Sequence, residues 1–384
     1  MNMDRSREIV ICLLSAMALL VFSVAFLLAE DETVIGSYMV GAALLLWVMV
    51  RMGVYEKITA AASHHERLWS GLLFIAALIL LFFFRDNHYC LFLVGTIFCY
   101  TIAVLGLNVQ LGYTGVINFS AASFFGVGGY TAGMLLNQGL VPPFAALLLG
   151  GVMAGLVGCV LLLPVLRTSG HYSALVTMAF ALLFNVFLEV NESFGGPQGI
   201  AVPPFSLFGV DFASDVEWGS ITGSFYLRYD LFILVFLALV FVMVRRVERS
   251  WMGLAMDAVR LDETASACFG INIVRWKVTA FTMGNVLMGM AGALYAMMLA
   301  YISPANFTFS DSLLFLSILL LGGMGNCWGV ILATSIMVVL PEKLQFIQEY
   351  RYLLYSLLVL LMIVYRPMGL LPRRTRVVTS EYVA

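Results

Sequence analysis

Long, nearly uncharged apolar runs are the feature that most constrains how this 384-residue chain folds. Apolar residues make up 62% of it and charged residues only 11%, against about a quarter charged in an ordinary soluble domain. A bilayer core takes roughly 20 residues of helix, and runs such as 72–84 lack the alternation of a membrane β-barrel strand. The sequence therefore predicts an all-α integral membrane protein, a polytopic bundle of about 10 to 12 transmembrane helices.

Apolar runs and the breaks between them place twelve predicted spans along the chain. They cover residues 9–29, 35–50, 69–84, 89–111, 119–137, 143–163, 172–190, 230–247, 277–301, 312–324, 328–341 and 352–365. The runs on either side of Gly322 to Gly325 are shorter than about 17 residues, so each can be a half-helix rather than a full crossing. Ten crossings is the alternative count.

Basic residues outside the spans predict the orientation. They are Arg245, Arg246, Arg249, Arg260, Arg275 and Lys277 in one loop, and Arg366, Arg373, Arg374 and Arg376 after the last span. Loops rich in lysine and arginine stay in the cytoplasm. Acidic residues 30–32 and the segment 191–229 fall on the opposite side. Alternation through twelve spans then places both termini in the cytoplasm.

The sequence lacks the residue patterns that several kinds of functional site require. No G-x-x-x-x-G-K-[ST] loop is present, so we expect no ATPase site, no cofactor and no enzymatic activity in this chain. The six cysteines have no metal-ligand spacing, and no metal site is expected. A net charge of −2 gives no reason to expect a nucleic-acid partner. Glu189, at the end of its span, and the His64, His65, Glu66 run are expected to be solvated.

The basic loop contains a segment that can contact another protein. Residues 252–269 predict one short amphipathic helix with Leu254, Ala258, Leu261 and Ala265 on one face, and Gly270 is a helix stop. The segment lacks the composition of a membrane-surface anchor, so it is suited to lie in a groove of a partner protein. The alternative is a solvated connecting helix.

Seven sequence blocks resemble one known family. They are LGLNVQLGYTG (105–115) with FFGVGGYTAG (124–133), PVLRTSGHYSALVTMAF (164–180), GGPQGI (195–200), GLAMDAVRLDETASACFGIN (253–272), YISPANFTFSDS (301–312), LGGMGNCWG (321–329) and RPMGLLP (366–372). In this order they resemble the LivM-type permease subunits of high-affinity branched-chain amino-acid ABC importers. The resemblance implies a permease domain over 89–372, an N-terminal extension with about three transmembrane helices over 1–88, and a cytoplasmic tail over 373–384.

The resemblance also implies a function and an assembly. The chain would import leucine, isoleucine or valine through the bacterial cytoplasmic (inner) membrane, in contact with membrane lipid. Its partners would be a related LivH-type permease, two ABC ATPase subunits that bind the ATP, and an extracytoplasmic amino-acid-binding protein. The residues implied to couple to the ATPases are Asp257, Arg260, Asp262, Glu263 and Gly270.

Two further residue groups are hypotheses. Polar or aromatic residues within matched spans predict the translocation pathway, with a glycine-rich break beside them: Asn108, Tyr113, Asn118 and Tyr130, with Gly322, Gly323 and Gly325. Each can instead serve an interhelical hydrogen bond or a packing contact. In the acidic outer segment, Asp211, Asp215 and Glu217 are predicted to form part of the docking surface for the binding protein.

Three other functions stay open at this point. A related importer that carries urea, short amides or another small polar solute would share this scaffold. A secondary carrier driven by an ion gradient would need buried ionisable residues near the midplane and usually an internal repeat. A membrane scaffold or receptor would need no partner ATPase.

Overall fold

The structure is a computed structural model that describes residues 5–29, 31, 34–38, 41, 44, 48, 51, 65–167, 171–207, 210–212, 214, 216–218, 221–343, 350–365, 368–371 and 373. Thirteen α-helices are bounded within these residues. They are α1 (Arg5–Leu28), α2 (Glu66–Phe83), α3 (His88–Leu107), α4 (Ala121–Asn137), α5 (Pro143–Arg167), α6 (His171–Val190), α7 (Tyr226–Arg249), α8 (Trp251–Leu261), α9 (Glu263–Cys268), α10 (Ile273–Leu299), α11 (Phe309–Gly322), α12 (Cys327–Lys343) and α13 (Arg351–Tyr365).

The predicted helical membrane bundle is confirmed. Seven helices in the described part are long and apolar enough to cross a bilayer. They are Glu8–Leu28, His88–Tyr113, Pro143–Leu166, Tyr172–Val190, Tyr226–Arg249, Ile273–Leu299 and Pro304–Gly322. Eleven of the twelve predicted spans coincide with a helix, and the span over 35–50 lies largely outside the described residues. Several of the eleven, such as α12 with 17 residues and α13 with 15, are short for a full crossing.

The chain divides into two compact units, of which the first holds residues 1–94, 215–232 and 339–349. In this unit α1 packs against α2. Lys343 Nζ donates hydrogen bonds to the backbone oxygens of Leu27 (2.7 Å) and Ala29 (3.0 Å). These oxygens lie at the C-terminal end of α1, where backbone carbonyls lack a partner within the helix. His65, expected to be solvated, instead lies 3.2 Å from Glu8 and is mostly buried. The boundary of the extension at residue 88 stays a prediction.

The second unit holds residues 95–214, 233–338 and 350–384, and its core is the packing of α4, α5 and α10. Glycines allow the backbones of these helices to approach closely. A Cβ built on Gly128 would lie 1.9 Å from the Gly289 oxygen, and one on Gly292 would lie 1.8 Å from the Phe125 oxygen. Close approach of this kind drives helix association in lipid, where there is no hydrophobic gain to drive it.

Short strands that the sequence pattern did not predict lie in the segment 191–229 and at Tyr301–Ile302. In the second unit β1 (Ile200–Ala201) pairs antiparallel with β6 (Tyr301–Ile302), and β2 (Ser206–Leu207) pairs with β3 (Val210–Asp211). In the first unit β4 (Val216–Trp218) pairs with β5 (Ile221–Gly223). Strands of two or three residues are too short to show an alternating pattern in the sequence.

Candidate functional site

The loop between α7 and α10 (residues 250–272) forms two helices rather than the single one predicted over 252–269. Asp262 is extended, with φ −158°, and ends α8. Its side chain accepts hydrogen bonds from the backbone N–H groups of Thr264 (2.8 Å) and Ala265 (3.0 Å), so it caps the N-terminus of α9. Gly270 has φ +78° and follows α9, which confirms the predicted stop.

An apolar groove opens on the surface of this loop. Its volume is about 570 Å³, and it is lined by Trp251, Leu254, Ala255, Ala258, Gly270, Ile271, Asn272, Arg275 and Trp276. Trp251 is 68% exposed and Leu254 56% exposed, and nearby Phe269 is 87% exposed. The opposite face of α8 buries Met256 and Val259. A contiguous apolar patch outside the spans is typical of a protein contact surface.

The five predicted coupling residues fall into two groups. Asp257 and Arg260 are half-buried, whereas Asp262, Glu263 and Gly270 are exposed. Arg260 donates a hydrogen bond to the backbone oxygen of Gly112, and burial lowers the pKa of its guanidinium, as does the nearby charge of Arg373. The exposed Glu263 pairs with Lys277 at 2.7 Å.

Arg373, which the sequence placed at the start of a tail, is half-buried beside α8. Its Nη1 and Nη2 donate to the two carboxylate oxygens of Asp257, at 2.6 and 2.9 Å. Its Nε lies 3.4 Å from Glu248, and its guanidinium lies 4.8 Å from the ring centre of Tyr113. Paired charges with planar, two-point geometry are among the strong polar contacts in proteins.

The glycine-rich break separates two true helices, since α11 ends at Gly322 and α12 begins at Cys327. Gly323 and Gly325 have φ values of +105° and +88°, which an L side chain rarely adopts. The Gly325 N–H donates to Asn108 Oδ1 at 2.8 Å. Asn108 begins a π-helical segment, Asn108–Tyr113, and such segments are frequent at functional sites.

The structure brings some of the predicted pathway residues together but not others. Asn108 and Tyr113 lie beside the break, and the Tyr113 hydroxyl is 3.5 Å from Cys327 Sγ. Asn118 donates to Gln110 Oε1 at 2.8 Å. Tyr130 lies apart, edge-on to the rings of Phe194 and Phe307.

The burial of the four predicted pathway side chains bears on whether they can contact a transported solute. All four side chains are at most 2% exposed within this single chain. The packing alternative therefore accounts for their present contacts, and a role in conduction would require the helices to separate. The pathway assignment stays a prediction.

Two buried amides in this region were missed by the sequence analysis. Gln110 Nε2 donates to Asn285 Oδ1 at 2.7 Å and to the Phe281 oxygen at 2.9 Å. Gln110 lies between Asn108 and Tyr113 in the same polar run of the sequence. This position within a predicted span was the signal that could have identified Gln110 as a buried polar residue. Asn285 is the polar position in an otherwise glycine- and methionine-rich stretch of α10.

The structure does not bring the three predicted docking acids together in one described element. Asp211 ends β3, Glu217 lies in β4 of the other unit, and Asp215 lies outside the described residues. Their joint role stays a prediction. Glu189 is exposed at the end of α6, in agreement with the solvated carboxylate expected there.

The family described as branched-chain amino acid transport system, permease component, matches residues 89–364, from α3 to the last turn of α13. The chain belongs to this family. The matched region of the permease includes six of the seven sequence blocks. The block over 366–372 lies just beyond it, and α1 and α2 lie outside it.

Relatives support the same assignment of the permease. It is 37% identical over 287 residues to the high-affinity branched-chain amino acid transport system permease protein LivM of Escherichia coli K12, and 36% identical to that of Salmonella typhimurium. Each alignment covers 71% of this chain and 68% of the relative. The LivH permease protein of Salmonella typhimurium is 24% identical over 296 residues, 71% of this chain and 91% of the relative. No solved structure is significantly similar to the permease.

Proposed function

We propose that the permease is the LivM-type membrane subunit of an ATP-driven importer for leucine, isoleucine and valine in the bacterial cytoplasmic membrane. The observation that carries this proposal is the identity of 37% to a LivM permease protein over 287 residues. The family match over 89–364 includes the α7–α10 loop. The chain itself provides the membrane part of the importer and holds no ATP.

The groove on the α7–α10 loop is proposed as the contact for an ABC ATPase subunit. Its exposed indole of Trp251 and side chain of Leu254 are the kind of apolar anchors that a partner buries. Asp262 and Glu263 add exposed carboxylates to the same loop, where they can set the orientation of a charged partner. Two such ATPase subunits, one below each permease, would complete the inner part of the importer.

The remaining partners are proposed from the other surfaces. Side chains of α5 and α6 such as Val160, Leu163 and Leu183 are more than half exposed, which suits contact with lipid or with a related LivH-type permease. The segment 191–229 is proposed to face outward and to receive the amino-acid-binding protein. Both termini and the α7–α10 loop then face the cytoplasm.

One described residue favours a different class, the gradient-driven carrier. Asp230, in the first turns of α7, is fully buried, and its carboxylate makes no hydrogen bond within the described part of the chain. Buried ionisable residues within spans often mark ion or proton pathways. An importer of urea or short amides is the other alternative, because the permease sequence by itself discriminates poorly between small polar cargoes.

Uptake of labelled leucine separates these functions. Cells lacking the permease are compared with cells in which it is restored, with isoleucine, valine, other amino acids and urea as competitors. We expect restored uptake that only the branched-chain amino acids inhibit and that ATP depletion abolishes. Uptake that collapses with the ion gradient while ATP is maintained, and that Asp230→Asn abolishes, would establish the carrier instead. Inhibition by urea but not by valine would establish the amide importer.

The proposed orientation makes Cys268 accessible from one side of the membrane only. Cys268 is exposed on α9, whereas the other five cysteines are buried or half-buried. A membrane-impermeant maleimide should label the permease in inside-out vesicles and not in intact cells, and Cys268→Ser should remove the labelling. Labelling of intact cells at Cys268 would place the loop on the outside and contradict the proposed topology.

Replacing Asp211, Asp215 and Glu217 with Asn, Asn and Gln should weaken docking of the binding protein. Charges at the rim of an interface mainly change association, so we expect the binding-protein concentration at half-maximal uptake to rise about fivefold. The maximal rate should stay the same. The matched control replaces Glu30, Asp31 and Glu32, which are acidic residues on the same predicted side. Equal kinetics in the two triple variants would remove the docking assignment.

A further inference from the structure

The segment after α13 folds back over the glycine-rich break. The Leu370 N–H donates to the Leu321 oxygen at 2.8 Å, and the Leu371 N–H donates to the Gly322 oxygen at 3.1 Å. In return, Asn326 Nδ2 donates to the Leu371 oxygen at 3.0 Å. A Cβ on Gly369 would lie 2.3 Å from Gly323 Cα, so the two backbones are in direct contact. We call residues 368–371 together with Arg373 the clasp.

The C-terminal residue of the clasp, Arg373, binds the α7–α10 loop and the end of α7. Arg373 makes the two-point contact with Asp257 of α8 and also lies within 3.4 Å of Glu248 at the end of α7. Glu248 is held in turn by Arg245 at 2.6 Å. The side chains of Arg373, Asp257 and Glu248 are 16%, 23% and 11% exposed, so solvent screens these pairs less than it screens a surface pair.

Arg260 supplies a second connection between the same loop and the break. It donates to the Gly112 oxygen at the end of the π segment. Gly112 contacts Gly325, because a Cβ on Gly112 would lie 2.8 Å from the Gly325 nitrogen. Arg373 itself passes within reach of Gly325, since a Cβ there would lie 2.6 Å from Arg373 Cδ. Arg260 and Asp257 therefore connect α8 to the break at two points, through Gly112 and through Arg373.

We propose that the clasp transmits displacement of α8 to the break between α11 and α12, with Arg373 as the positioning residue. This inference rests on the proposed docking of an ATPase to the α7–α10 loop. An ATPase that moves α8 would pull on Asp257, and the ion pair would carry the motion to residues 368–371. Their backbone hydrogen bonds would then shift Gly322 and Gly323. Gly323, which has a positive φ and no side chain, would be the hinge.

The ratio of ATP hydrolysed to leucine transported tests the clasp in the purified, membrane-reconstituted importer. In Arg373→Gln we expect ATP hydrolysis to continue while this ratio rises about fivefold, which is within the range by which mutations between two coupled sites change their coupling. Asp257→Asn should raise the ratio by a similar factor. The double variant should be no worse than either single one, because both substitutions break the same contact.

Controls separate the clasp from loss of folding and from failure of the proposed function. Arg246→Gln removes the same charge at an exposed position near the end of α7 and should leave the ratio unchanged. Arg373→Lys keeps the charge but not the two-point contact, and it should raise the ratio by an intermediate factor. If Arg373→Gln does not assemble, Arg373→Lys is measured instead.

Two outcomes have different meanings. A wild-type ratio in Arg373→Gln, or in Arg373→Lys where the first variant does not assemble, would overturn the clasp while the importer stands. A wild-type complex without ATP-driven uptake would remove the proposed function itself.

Discussion

Gly292→Ala should prevent the permease from folding. A Cβ at this position would lie 1.8 Å from the backbone oxygen of Phe125 and 2.6 Å from its carbonyl carbon, so relief requires α4 and α10 to move apart. Overpacking of a core usually costs about 1–3 kcal/mol, and a clash with backbone exceeds that range because no side chain can rotate away. We expect the yield of monodisperse protein in detergent to fall at least about tenfold.

Gly71→Ala is the matched control. Gly71 lies within α2, and a Cβ there would meet nothing within 4 Å. Alanine favours a helix by about 1 kcal/mol over glycine, so this variant should be as stable as the wild type or more stable. The melting temperature of both variants is measured from the loss of the monodisperse peak in size-exclusion chromatography after heating. A Gly292→Ala protein with wild-type yield and melting temperature would show that the helices do not pack as described.

Leu254→Asp should remove ATP-driven uptake and leave the permease folded. Leu254 is 56% exposed and lines the groove, so the substitution has little to destabilise within the chain itself. In the assembled importer it would bury an unpaired carboxylate against the ATPase, which costs at least about 2 kcal/mol and corresponds to an affinity loss of about 30-fold or more. Copurification of the ATPase with tagged permease measures this loss, and leucine uptake should fall with it.

Ala267→Asp adds the same charge to the same loop at an exposed position outside the groove lining. We expect this control to retain the ATPase and most of the uptake. If Leu254→Asp also copurified with the ATPase at wild-type levels, the groove would not be the docking surface. Equal losses in both variants would mean that the whole loop, and not the groove, forms the contact.

The sequence predicted the membrane architecture well, because the length of bilayer that must be crossed leaves a clear signal. Each of the eleven predicted spans that the structure describes contains a helix, and the break at Gly322 to Gly325 separates two of them. The stop at Gly270 was also predicted, since glycine is the residue that takes positive φ at a helix end. These features depend on local composition and need no knowledge of tertiary contacts.

The features that were missed depend on partners far away in the sequence. Asp257 and Arg373 are separated by 116 positions, and Gln110 and Asn285 by 175 positions. Nothing in the order of residues indicates that a basic residue after the last span will turn back to α8. The cap at Asp262 is a different case, because aspartate followed by Glu263 is a local helix-start signal that the amphipathic pattern over 252–269 concealed.

The pathway residues were predicted to lie within the spans, but neither the sequence nor their burial distinguishes a role in transport from one in packing. Asn108, Tyr113, Asn118 and Tyr130 were chosen for polarity within spans, and the structure places them all in the interior. A polar residue in a span serves either transport or helix packing, and both uses favour burial in an isolated subunit. Their surroundings in the assembled importer decide between the two.

Leucine accumulation by the complete importer in proteoliposomes measures the proposed function with the fewest assumptions. The copurified complex is reconstituted with the binding protein outside and with the ATPases supplied with ATP, a non-hydrolysable analogue or no nucleotide. We expect accumulation only with hydrolysable ATP, unaffected by an ionophore, blocked by isoleucine and valine, and absent when this permease is omitted. Leucine accumulation that continues without ATP hydrolysis, or without this chain, would contradict its role as the membrane subunit of an ATP-driven branched-chain amino-acid importer.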